Sequence, residues 1–198
     1  MLELRNGRVL VIDLELTCWE GDAVPPGQRR EIVEIGLVEI DMKDLAIRRE
    51  SSWLVRPMAS SVTPYCTSLT GITPEEVASG GRRLGEVLRS IANEFGPTRK
   101  PLLAWGDDWH AIDEDCRAAG CANPFPQEAF LNIGRVGSLL WSGNARLGLD
   151  EARVTLDLPE IQGRHRALPD ARATADLVIA MARLVRGYGY AAGVSPRR

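Results

Sequence analysis

Apolar and polar positions change their period along this chain, and the changes mark its elements. RVLVIDLEL, residues 8 to 16, is a β-branched and aliphatic run bounded by Asn6-Gly7, too short for a typical helix, and it predicts a buried central strand. A loop rich in proline, glycine and charge, EGDAVPPGQRR, follows. EIVEIGLVEID and LAIRRESSWLVRP then predict two more strands, joined by a short turn around Asp41 to Asp44 into an antiparallel meander. SVTPYCTSLTGITPEEVASGG reads as turn-rich, with Thr73 capping a short helix that has Pro74 at its first position and Glu75 and Glu76 in its first turn. Helical spacing returns at Leu84, Val87, Leu88, Ile91 and Phe95 and stops at Gly96-Pro97. PLLAW is a short strand, a helix runs from about 108 to 119 and stops at Gly120, and NIGRVGSLLWSG and LGLDEARVTLDL are further helical stretches. Pro169 opens a last helix with Ala171, Ala175, Val178, Ala182 and Val185 on one side, and AAGVSPRR reads as a frayed tail.

A meander followed by helices alternating with at least one more strand predicts an α/β fold, a mixed central sheet with helices on both faces. With 198 residues and 44% hydrophobic content, one domain over 1–187 with a flexible tail over 188–198 is expected. No long uncharged apolar run is present, so a soluble cytoplasmic protein without membrane contact is expected. The four cysteines, Cys18, Cys66, Cys116 and Cys121, are too few and too irregular for a disulfide framework and read as reduced thiols. Cys116 and Cys121, even with His110 upstream, lack a second ligand pair, so no structural zinc is expected. The net charge of -3 excludes a global basic field for nucleic acid, and a polyanionic substrate would have to be held locally. Lysine occurs only as Lys43 and Lys100, and arginine clusters such as Arg29-Arg30, Arg48-Arg49 and Arg82-Arg83 read mostly as solvated surface.

Against this background five residues carry the chemistry. Side chains alternate along a strand, so Asp13 and Glu15 share one face while Ile12, Leu14 and Leu16 take the other. Two like charges in an otherwise apolar strand cost several kcal/mol unless a cation compensates, which makes a divalent metal the economical solution. Asp107 and Asp108 follow PLLAWG where a helix begins, placing a carboxylate at a helix amino terminus. His165 precedes the last helix and Asp170 lies in its first turn, so both can address one cleft. Four acids to hold cations and an imidazole to take a proton are the parts of a two-metal phosphodiester hydrolase.

In order and spacing, Asp13-x-Glu15, the Trp-Gly-Asp stretch at 105 to 108, and His165 with Asp170 five positions later resemble the DEDDh branch of the DEDD 3′-to-5′ exonuclease superfamily, whose fold is ribonuclease-H-like. TCWE at 17 to 20, PPGQRREIVEIG at 25 to 36 and SLTGIT at 68 to 73 are most similar to the group of histone-mRNA and small-RNA 3′-end exonucleases. The resemblance covers about residues 8 to 185. That group commonly carries an aromatic residue between the two aspartates after Trp-Gly, whereas here Asp107 and Asp108 are adjacent. Aligning forward from Trp105 favours Asp107, aligning backward from Ile112 and Cys116 favours Asp108, and Asp108 is the expected ligand. The resemblance implies two Mg2+ ions, replaceable by Mn2+, on Asp13, Glu15, Asp108 and Asp170, with His165 as general base. Leu69, Thr70, Gly71 and Ile72 then resemble the segment against the 3′-terminal nucleotide, and Leu16 and Thr17 would line the same pocket. The implied activity is 3′-to-5′ hydrolysis of single-stranded RNA, favoured over DNA, to nucleoside 5′-monophosphates. A proofreading-type DNA exonuclease module and a catalytically silent nucleic-acid-binding adaptor are the alternatives, and protein partners are unknown.

Overall fold

The computed structural model describes residues 7–142 and 146–191. Its centre is a five-stranded mixed sheet: β1 (Arg8–Leu16), β2 (Ile32–Asp41), β3 (Ala46–Leu54), β4 (Leu102–Ala104) and β5 (Phe130–Asn132), in the order β3-β2-β1-β4-β5. β1 to β3 form the expected antiparallel meander, and β4 and β5 add in parallel on the other side of β1. β5 was not read from the sequence, because a three-residue edge strand is too short to show a period.

Helices cover both faces. α3 (Leu84–Phe95) buries the five residues that its spacing picks out, and with Trp109, Ile112 and Cys116 of α4 (Asp108–Ala119) it packs on Leu10, Ile12, Ile35 and Leu37. The opposite face carries Val9, Val11, Val38 and Ile40 against Ala171, Ala175 and Val178 of α7 (Ala167–Ala191). Sandwiched between two strands and two helical layers, β2 is buried at every position. Among the described residues no helix is long and apolar enough to cross a membrane.

Several expectations need adjustment. The segment 63 to 71 holds a helix, α1 (Pro64–Thr70), rather than turns alone; Thr63 caps it by accepting the Cys66 N–H, and Gly71 closes it in the left-handed region at φ 73°. α2 (Pro74–Gly80) follows with the expected Thr73 cap, completed by Glu76 into a capping box. The stretch 133 to 142 is α5 (Ile133–Gly137) running into a π turn, and α6 (Leu149–Thr155) comes after it. α7 starts at Ala167, two positions before Pro169, whose missing N–H is harmless in a first turn. It also outruns the sheet, so Val185 stands 72% exposed although it continues the apolar stripe. Of the tail expected over 188–198, residues 188–191 complete α7 and 192–198 lie outside the described residues.

Candidate active site

Alternation along β1 sends Asp13 and Glu15 to the α7 face, continuing the row of Val9 and Val11, while Leu14 and Leu16 pack with Leu10 and Ile12 on the α3–α4 face. The first turn of α7 brings Asp170 to the same place. One ligand oxygen from each of Asp13, Glu15 and Asp170 lies within 4.8 Å of the others. The β1–β2 ladder slips between Glu15 and Leu16, a bulge of the kind that re-aims side chains beside active sites.

Asp107 and Asp108 separate clearly. Asp107 is exposed and bonds outward, accepting from Asn132 at 3.2 Å and from Arg135 at 3.0 Å. Asp108 turns inward, where the backbone N–H groups of its own residue, Gly106 and Leu14 lie close enough to favour its ionised carboxylate. That links it to β1 and sets it beside Asp13, outside the tightest three-carboxylate set.

Like charges in a dry setting dominate the electrostatics. Burial, and then the charges of Asp108, Asp170, Glu15 and Glu34, hold the Asp13 carboxyl far above its ordinary range. Burial and Asp170 push Glu15 up to about 7. Asp108 is pushed up by burial to about 6 against its backbone hydrogen bonds, and Asp170 is raised by burial despite the His165 N–H that it accepts. Asp170 Oδ1 is buried without any hydrogen-bond partner. An orphaned carboxylate oxygen amid acids that resist ionisation is the donor set a hard divalent cation fits.

His165 stands half-buried at the mouth of this cluster, and its backbone N–H donates to Asp170 Oδ2 at 3.2 Å. Its φ is 60°, a left-handed conformation that costs a non-glycine residue about 1–2 kcal/mol. Something outside the residue must therefore hold it there.

The residues expected to meet the terminal nucleotide divide by exposure. Leu69 and Gly71 are exposed and Leu16 is half-buried, so these three can offer surface. Thr17 is fully buried, its hydroxyl accepting from Glu31 N–H and donating to the Arg29 carbonyl. Thr70 likewise donates to the Cys66 carbonyl and accepts from Ile72 N–H, and Ile72 belongs to the cluster with Val33, Val62, Cys66 and Val77 that seats α1 and α2 on the sheet.

Three residues that sequence reasoning passed over shape the site. In the β1–β2 register Gly36 lies opposite Asp13 and Glu34 opposite Glu15. A Cβ on Gly36 would overlap the Ala167 carbonyl and the Leu168 nitrogen, so the bare backbone there is what lets α7 begin against the sheet. Glu34 is buried and gripped by Arg166. The visible signals were a glycine and a glutamate inside an apolar run, and an arginine adjoining the histidine. Gly36→Ala is expected to cost about 1–3 kcal/mol of stability through overpacking and to lower activity by displacing Asp170. A denaturation midpoint and a turnover rate equal to those of the parent would contradict this.

Residues 10–178 match the protein family described as Exonuclease, RNase T. Among individual relatives, 3′-5′ exoribonuclease 1 of Homo sapiens is 37% identical over 187 residues, covering 87% of this chain and 52% of that protein. The 3′-5′ exonuclease Snipper of Drosophila melanogaster is 38% identical over 73 residues, 36% of this chain and 26% of that one. The chain thus spans about half or less of these relatives. The solved nuclease domain of 3′hExo, a DEDDh family member bound to rAMP, superposes with a TM-score of 0.78 at 24% identity over 90% of this chain and 92% of that one, a likeness of fold. Since the family match begins in β1 and ends on the core-facing part of α7, taking in every element that supplies an acid, the chain belongs to the RNase T exonuclease family.

Proposed function

We propose that this chain is a metal-dependent 3′-to-5′ exonuclease that shortens single-stranded RNA, and DNA less well, to nucleoside 5′-monophosphates. The observation that carries the reading is the convergence of Asp13, Glu15 and Asp170 from separate elements to within 4.8 Å. Asp13, Glu15, Asp108 and Asp170 would hold two Mg2+ ions, for which Mn2+ substitutes. Bound there, such ions supply hydroxide at neutral pH and offset charge on the leaving oxygen. His165 takes the proton of the attacking water. Leu16, Leu69 and Gly71 offer an apolar surface to the terminal base, while Thr17, Thr70 and Ile72 hold that surface from behind. The preference for RNA rests on the relatives named exoribonucleases. Four free thiols suit a reducing compartment such as the cytoplasm.

A time course on matched RNA and DNA oligomers, labelled at the 3′ or the 5′ end, tests the reading. With Mg2+ or Mn2+ the 3′ label should leave at once as mononucleotide and the 5′-labelled product should shorten stepwise; EDTA should stop both. Binding without cleavage in either metal would instead favour a silent adaptor, and faster loss of DNA than RNA a proofreading-type module.

A further inference from the structure

Glu34 projects from β2 onto the α7 face and is 2% exposed, yet both of its oxygens are used. Arg166 Nε donates to Oε2 at 2.9 Å, Arg166 Nη2 to Oε1 at 2.8 Å and the Ala167 N–H to Oε2 at 2.9 Å. A two-pronged guanidinium contact fixes orientation as well as distance, which a single contact does not. Arg166 and Ala167 are the two residues after His165, the one whose backbone is held at φ 60°. On the other side Arg164 pairs with Asp150 of α6, but both of those side chains are nearly half exposed, so solvent weakens that grip. The buried anchor is therefore Glu34. Because its oxygens are committed to Arg166 and Ala167, it is not free to serve as a further cation ligand.

We propose that Glu34 is a positioning residue for His165: by clamping Arg166 and the Ala167 N–H to β2 it holds the histidine in its left-handed conformation beside Asp170. The proposal rests on the exonuclease reading for its kinetic consequence alone. A histidine released from this clamp still folds near the cluster but loses its fixed placement, and misplacement of about 1 Å can cost on the order of 10²-fold in rate.

The test compares Glu34→Gln, Arg166→Lys and the double variant Glu34→Gln/Arg166→Met with the parent protein. Glu34→Gln takes the buried carboxylate from the half-buried Arg166 and turns an amide NH2 with no acceptor toward it, and is expected to lower the melting temperature, while the double variant removes the arginine's charge and should recover part of it. In all three, kcat should fall roughly 10- to 100-fold while the oligonucleotide KM and the Mg2+ concentration for half-maximal activity stay within about twofold. The chain has two histidines, His110 and His165, so ring signals of histidine-labelled, metal-free protein can be assigned with one His110→Gln control. The His165 ring signal should move or broaden in Glu34→Gln, with Arg166→Lys giving the same answer if Glu34→Gln does not fold. Recovery of kcat together with melting temperature in the double variant, or an unchanged His165 signal, would overturn the proposal. A parent protein that cleaves nothing would instead refute the exonuclease reading and leave the ring signal to decide on the clamp.

Discussion

Asp13→Asn should reduce turnover to background and, at pH 8 without metal, should melt higher than the parent protein. The first effect follows from removing an acid of the converged cluster, the second from what that cluster costs when no cation offsets it. Glu15 holds its proton up to about 7 and Asp108 to about 6, and Asp13 is held well above its ordinary range, each raised first by burial. Carboxyls in an unfolded chain have shed their protons well below those values, so the folded metal-free protein binds more protons than the unfolded one. The stability these protons contribute is fully present below about pH 4, where both states hold them, and is lost as pH rises from there through about 6 to 7, by about 1.4 kcal/mol per pH unit for each proton retained. Neutralising Asp13 removes one strongly raised member and eases its neighbours. Mg2+ at 100 times its dissociation constant should stabilise the parent by about 2.7 kcal/mol, roughly 5–10 °C in melting temperature, and more at pH 8 than at pH 5. Asp13→Asn should lose most of that gain. Thermal melts at the two pH values with and without metal measure all of this, and a parent whose melting temperature ignores both Mg2+ and pH would defeat the assignment.

His165→Ala is expected to separate chemistry from metal binding. The Mg2+-induced rise in melting temperature should survive, because the hydrogen bond of His165 to Asp170 runs from its backbone N–H, which the substitution keeps. The rate should fall by about 10² to 10⁴, the usual contribution of a positioned general base. Single-turnover measurements with oligomer bound in advance read the chemical step directly. Were the variant as fast as the parent, the proton would leave by another route; were the metal response lost as well, His165 would belong to the cation site.

Much of the architecture was legible because it repeats. The period-2 alternation of β1 stated in advance that Asp13 and Glu15 share a face, and the 3.6-residue spacing of α3 named all five residues that it buries. Caps were equally readable where residue type carried the signal, as at Thr73 with Pro74 and Glu76. α1 escaped because seven residues supply too few turns for a period to emerge, even though Thr63-Pro64 and Gly71 frame it as Thr73-Pro74 frames α2. Val185 failed in the opposite sense: the stripe continues in the sequence, while the sheet that would bury it has ended.

By itself the sequence determined the alternation and the spacing, and with them which acids can face one way, because such periods are properties of a local backbone. It also supplied the five residues whose order identifies the family. Only the tertiary structure decided that Asp108 rather than Asp107 turns inward, that Thr17 and Thr70 spend their hydroxyls on backbone groups, and that Glu34 and Gly36 seat the start of α7. Each of these depends on a partner from a distant element: Leu14 for Asp108, Glu31 for Thr17, Ala167 for both Glu34 and Gly36. Contacts between residues far apart in sequence leave no periodic trace in a single chain, since what fixes them is the packing of one element's end against another's side.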